Sequence, residues 1–206
     1  MIDGTASRRS ILRAGFRGIV AGAGLAVAGA AAAAPGRPAG GPAAAAGPAV
    51  SGDRVEELAR LAFVNTHTSE SLDVVYREGQ RYLTRAMARI DHLLRDHRTG
   101  EVHPIDPALL DQLDRLAAML GAGSDPYHVI SGYRSPRSNS MLAARSGGVA
   151  KKSLHMSGRA IDIRIPGVPL ARVHEAALAM KAGGVGYYPK SDFVHLDTGR
   201  IRNWRG

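Results

Sequence analysis

The chain has 206 residues, a formal net charge of +9 and no cysteine. That length allows one domain with a full core once a removable leader is subtracted. The missing cysteines exclude disulfides and a lipid anchor on an N-terminal cysteine. Five arginines and one aspartate fall in the first fifty residues, so residues 51–206 hold 22 basic and 17 acidic side chains, net +5. A modestly basic surface favours an anionic polymer by long-range attraction, and no aromatic-basic motif points to nucleic acid.

Taken in order, the chain opens on Ser7-Arg-Arg-Ser-Ile-Leu-Arg13, a twin-arginine export signature ahead of a mildly apolar run from Gly18 to Ala34. The run is short and weakly hydrophobic for a spanning helix, so no stable membrane anchor is expected. Residues 1–34 are read as a signal peptide, with cleavage after Ala34 or as late as about residue 46. The twin-arginine translocase is then the export partner and the periplasm, within the cell envelope, the destination. Residues 35–52, rich in Pro, Gly and Ala, read as linker, and residues 53–206 as the domain.

Within the domain, Leu58 to Thr66 and Ser71 to Tyr76 predict two strands around the polar turn Thr68-Ser-Glu70. Helical spacing of Leu83, Met87, Ile90, Leu93 and Leu94 predicts a helix over 83–97, whose C-terminal end accounts for His92 and His97. A second helix is expected over 107–120, with Asp106 as cap and Pro107 in the first turn. A strand at 128–132 leads to Tyr133-Arg-Ser-Pro136, and the polar stretch 137–152 reads as a mobile loop. A strand at 160–165, a helix at 170–181 and a hairpin of 185–188 with 192–197 complete the elements. Trp204 is expected to anchor the C-terminus by packing.

The chemistry concentrates in Ser153-Leu-His-Met-Ser-Gly-Arg-Ala-Ile-Asp162 and Asp192-Phe-Val-His195. Strand alternation places Ile161, Ile163 and Ile165 on one face and Ala160, Asp162 and Arg164 on the other. In the later strand Val194 and Leu196 share one face, and Phe193, His195 and Asp197 the other. If the two strands are neighbours, Asp162 and His195 converge on the polar face, and His155 closes a third corner from the loop. Two imidazoles and a carboxylate, with a fourth position left to water, suit catalytic Zn2+.

These residues, with Ser131-Gly-Tyr-Arg-Ser135 before them and Asp197-Thr-Gly-Arg-x-Arg-x-Trp204 after, resemble the zinc D-alanyl-D-alanine peptidases. Within that superfamily the likeness is strongest to the MepK-like murein endopeptidases, over about Leu58 to Trp204 and including Asn65-Thr-His-Thr68 and Leu94-Arg-Asp-His-Arg-Thr-Gly100. The resemblance implies an α+β domain with a small, mainly antiparallel sheet, helices packed on one side, and zinc in a cleft at the polar sheet face. It implies a peptidase acting on peptidoglycan stem peptides, with Arg134 stabilising the oxyanion of the attacked amide. Tyr133, Ser153 and Tyr187 are the expected substrate contacts. The general base is Asp192 by resemblance or Asp197 by strand parity. A D-alanyl-D-alanine carboxypeptidase and a non-catalytic wall-binding module with a structural metal are the competing readings.

Overall fold

The computed structural model describes residues 57–123, 125–145, 150 and 152–206. The expected signal peptide and linker lie outside them. Among the described residues no helix is long and apolar enough to cross a membrane.

The domain is α+β, built on one sheet of eight strands. They are β1 (Leu58–Asn65), β2 (Ser71–Glu78), β3 (Arg81–Tyr82), β4 (Tyr127–Ser131), β5 (Ala160–Arg164), β6 (Gly184–Tyr188), β7 (Phe193–Asp197) and β8 (Arg202–Arg205). Their spatial order is β3-β2-β1-β4-β5-β7-β6-β8. The pairs β1–β4 and β6–β8 are parallel and the other five are antiparallel. The sheet is therefore mainly antiparallel as expected, but wider than a small one, because β3 and β8 extend its two edges. Both edge strands are short and rich in Arg, which hides their periodicity in the sequence while protecting the open edges.

Four helices accompany the sheet: α1 (Thr84–Leu93), α2 (Pro107–Leu120), α3 (Pro136–Arg145) and α4 (Leu170–Met180). Leu109, Leu110, Leu113 and Leu116 of α2 and Val173, Ala177 and Met180 of α4 bury against Leu61, Phe63, Ile161, Ile163, Val194 and Leu196 of the strands. Fully burying each such aliphatic side chain stabilises the fold by about 1.5–3 kcal/mol. Asp106 caps α2 as its sequence predicts, its carboxylate accepting from Ala108 N at 3.0 Å, and Gly121 closes it in the left-handed conformation.

Two expected elements differ. Helix α1 stops at Leu93 instead of running to residue 97, because the next residues wrap around Asp96. The buried Asp96 carboxylate accepts from Arg98 N at 2.9 Å and Ser135 N at 2.8 Å. The Leu94 carbonyl, which a longer helix would need, instead accepts from Tyr133 N at 2.7 Å. His97 consequently lies beyond the helix, its ring stacked on His67 at 3.8 Å. The stretch expected as a loop begins as a helix, α3. Ser135 caps it, its hydroxyl accepting from Ser138 N at 3.2 Å, and Pro136 occupies the first turn.

Candidate metal centre

The polar face of β5, β7 and β6 carries the site. Asp162 and His195 are direct cross-strand partners, as are His195 and Gly186. His155 reaches them from a single 3-10 turn, Leu154–Ser157, that leads into β5. Ser153 caps this turn, and Gly158 ends it at φ +65°. A side chain at Gly158 would also collide with the Pro104 carbonyl, 2.1 Å from the position of a Cβ. The glycine in this motif is thus required by both conformation and space.

Three atoms converge. His155 Nε2 lies 3.2 Å from His195 Nδ1, and Asp162 Oδ1 lies 2.8 Å from His195 Nδ1 and 3.4 Å from His155 Nε2. All three residues are buried, and they form a cluster among the described residues that could hold a metal ion. Ligands on a tetrahedral zinc at 2.0–2.1 Å stand about 3.3 Å from one another, so this triangle already has the right size.

The other ring nitrogens fix which atoms face inward. His155 Nδ1 lies 2.7 Å from the Gly132 carbonyl, which can only accept, so Nδ1 carries the hydrogen and Nε2 presents a lone pair. His195 Nε2 lies 3.0 Å from Asp197 Oδ2 and donates to it, which turns the Nδ1 lone pair toward Asp162. Two lone pairs and a carboxylate pointing at one another repel unless a cation lies between them. Each imidazole is thereby oriented by an acceptor behind it, as metal-ligating histidines are.

The electrostatics agree. Burial by itself would raise the Asp162 carboxyl, but the His155 and His195 imidazoles hold it well below the usual carboxylate range. Burial opposes a charge on His195, yet hydrogen bonds and charge from Asp162 and Asp197 push its pKa up to about 9. Without a metal, a proton on His195 takes the place of the cation.

Asp197 is fully buried and saturated. Its Oδ1 accepts from Gly184 N at 3.0 Å, Gly199 N at 2.8 Å and Arg202 Nη1 at 3.0 Å, and its Oδ2 from His195 and from Arg202 Nη2 at 2.6 Å. Asp192 adopts φ +53° and is exposed, its carboxylate paired with Arg164 Nη1 at 3.1 Å. The left-handed turn breaks the strand parity at Asp192. Arg164 shares the face of Asp162, two positions further along β5.

Arg134 follows β4, whose register with β5 slips between Val129 and Ser131 beside the site. Its guanidinium is largely buried, with only long contacts: 3.7 Å to Asp162, 3.3 Å to Ser131 Oγ and 3.5 Å to Asn139 Oδ1. Its Nε is buried with no hydrogen-bond partner among the described residues. Arg134, Ser153, Tyr188, Arg202 and Trp204 line, with the three ligands, a cleft of about 480 Å³.

Two of the expected substrate contacts lie elsewhere. Tyr133 is buried against His103, ring to ring at 4.7 Å. Tyr187 points to the helix side of the sheet and stacks on His174 of α4 at 4.6 Å. Tyr188, one residue on, lines the cleft. Arg202 and Trp204 were not legible as site residues: the Trp204 ring stands 5.1 Å from His195, and Arg202 lies over that ring at 5.0 Å. Only the parallel pairing of β8 with β6 brings them there.

A family profile described as peptidoglycan L,D-endopeptidase MepK matches residues 54–204. The chain belongs to that family. The chain is 49% identical over 144 residues to the peptidoglycan L,D-endopeptidase MepK of Escherichia coli (strain K12), covering 70% of this chain and 79% of that protein. The same identity and coverage hold for the protein of that name from Shigella flexneri. A probable peptidoglycan L,D-endopeptidase MepK of Haemophilus influenzae is 42% identical over 146 residues, covering 71% of this chain and 78% of that protein. Family membership and the His155, Asp162 and His195 set together mark the protein as a zinc metallopeptidase.

Proposed function

We propose that this protein is an exported murein endopeptidase that hydrolyses a peptide bond in peptidoglycan cross-links. The relatives' common description as peptidoglycan L,D-endopeptidases supports the substrate class. The observation that carries the reading is the juxtaposition of three inward-facing acceptors with the under-partnered guanidinium of Arg134 in one cleft. A structural zinc almost always has four protein ligands, whereas the cluster among the described residues supplies three.

His155, Asp162 and His195 would hold Zn2+, which when bound supplies a Lewis acid and lowers the pKa of a water to about 7. Arg134 binds the carbonyl oxygen as it becomes negative, through Nη atoms that make only long contacts within the protein. Asp192 takes the proton from the attacking water. Its exposure allows it to exchange Arg164 for that water, whereas both Asp197 oxygens are already occupied. Asp197 holds His195 in its ligating tautomer. Ser153 acts through the turn it caps and at the cleft wall.

The twin-arginine signature supports export by the twin-arginine translocase to the periplasm, where this substrate lies. The modest positive charge supports attraction to the wall polymer.

The test is digestion of purified sacculi by the zinc-loaded protein beside His155→Ala and a chelated sample. Release of muropeptides with new ends at the cross-link, lost in both controls, is expected. Release of D-alanine alone would make it a carboxypeptidase. Binding to sacculi without release would make it a wall-binding module.

A further inference from the structure

Tyr188 ends β6 and pairs with Phe193, the rings stacking at 4.5 Å. Along β6 the side of the sheet alternates, so Gly184, Gly186 and Tyr188 share the face of His195. The two glycines leave the room into which β8 lays Arg202 and Trp204: a Cβ at Gly186 would stand 2.6 Å from the indole. Seated there, Trp204 donates from Nε1 to the Tyr188 hydroxyl at 2.8 Å.

That bond has a fixed direction, because an indole N–H can only donate. A phenol oxygen that accepts on one side keeps its own hydrogen for another partner, and among the described residues no acceptor takes it. Tyr188 and Trp204 line the same cleft as Arg134, Asp162 and His195.

Resting on the peptidase reading above, we infer that Tyr188 is a further catalytic residue, whose O–H donates a hydrogen bond to the substrate oxygen that gains negative charge, in the cleft it shares with Arg134. The proton stays on the phenol, and no covalent bond to Tyr188 forms or breaks. Trp204 is the positioning residue. It fixes the phenol oxygen and leaves the O–H directed at substrate.

The test compares full-length zinc-loaded parent, Tyr188→Phe, Trp204→Phe and the double variant on a purified cross-linked muropeptide dimer. Tyr188→Phe keeps the ring on Phe193, and unchanged thermal melts and zinc content confirm intact folding. Loss of one donor to an oxyanion lowers kcat by about 100-fold, with KM little changed. Trp204→Phe loses less, and the double variant is no worse than Tyr188→Phe. A phosphinate dipeptide that mimics the tetrahedral state weakens in parallel with kcat.

Tyr188→Phe with the parent's kcat and phosphinate affinity would overturn the role of Tyr188. A Trp204→Phe loss that persists in full in the Tyr188→Phe background would overturn the link between the two. A parent that cleaves no muropeptide refutes the function proposed above. Phosphinate affinity then decides Tyr188 separately: a weaker variant supports the donor, and equal affinities overturn it.

Discussion

Gly186 stands directly opposite His195 across the β6–β7 pair, and the space its side chain would fill holds the ring of Trp204. The absence of a side chain on one strand thus lets an edge strand reach over a metal ligand of the next. Trp204 is the sole tryptophan, so its emission reports on this arrangement.

Gly186→Ala therefore displaces the indole. Overpacking of this kind costs about 1–3 kcal/mol. The expected result is a lower melting temperature, a shifted tryptophan emission and reduced hydrolysis. Parental emission would mean that the ring seats itself without the glycine.

Asp197 lies behind His195 and does not touch the metal position. Asp197→Asn keeps the shape while removing the charge that holds Nε2–H in place, so zinc affinity falls about 10–100-fold. Competition with a chromophoric chelator measures it. Unchanged affinity would show that packing alone orients the ring.

Zinc must displace the proton that His195 carries in the metal-free protein. With that pKa pushed up to about 9, binding at neutral pH releases about one proton and tightens as pH rises toward that value. Calorimetry in buffers of different ionisation enthalpy counts the released protons. No release at pH 7 would place His195 neutral before binding.

His97 titrates in the opposite sense. Burial, with the nearby Arg98 and His67 charges, pushes it down to about 4 from an ordinary 6.5. Between those values the unfolded chain takes up a proton that the folded chain refuses. Stability is lost as pH falls from about 6.5 to about 4 and is unaffected by this group above that window. His97→Phe, which keeps a ring against His67, removes that part of the slope in melting temperature over this range.

The local chemistry of the metal motif was legible in the sequence. Alternation in Ala160 to Ile165 and in Phe193 to Asp197 set which side chains share a face, because a strand has period two whatever lies beside it. The glycine after His155 and the cap before α2 are likewise local, since each depends on the conformation of a few consecutive residues. Ser135-Pro136 carried the same kind of signal for α3, outweighed by the polar residues after it.

Other features depended on which strands become neighbours, and no local pattern encodes that. The turn at Asp192 took it out of the strand and into a pair with Arg164, so parity did not apply to it. Asp197 reads from parity as a free carboxylate on the ligand face, but Arg202, Gly184 and Gly199 occupy its oxygens once β8 folds beside β6. Tyr187 and Tyr188 are indistinguishable in sequence, and the register of β6 against β7 sends one to the helices and the other to the cleft. The sequence by itself picked out His155, Asp162 and His195 and the strand face that Asp162 and His195 share. The tertiary structure alone decided what stands behind and across from them, because those contacts join segments that only the sheet brings together.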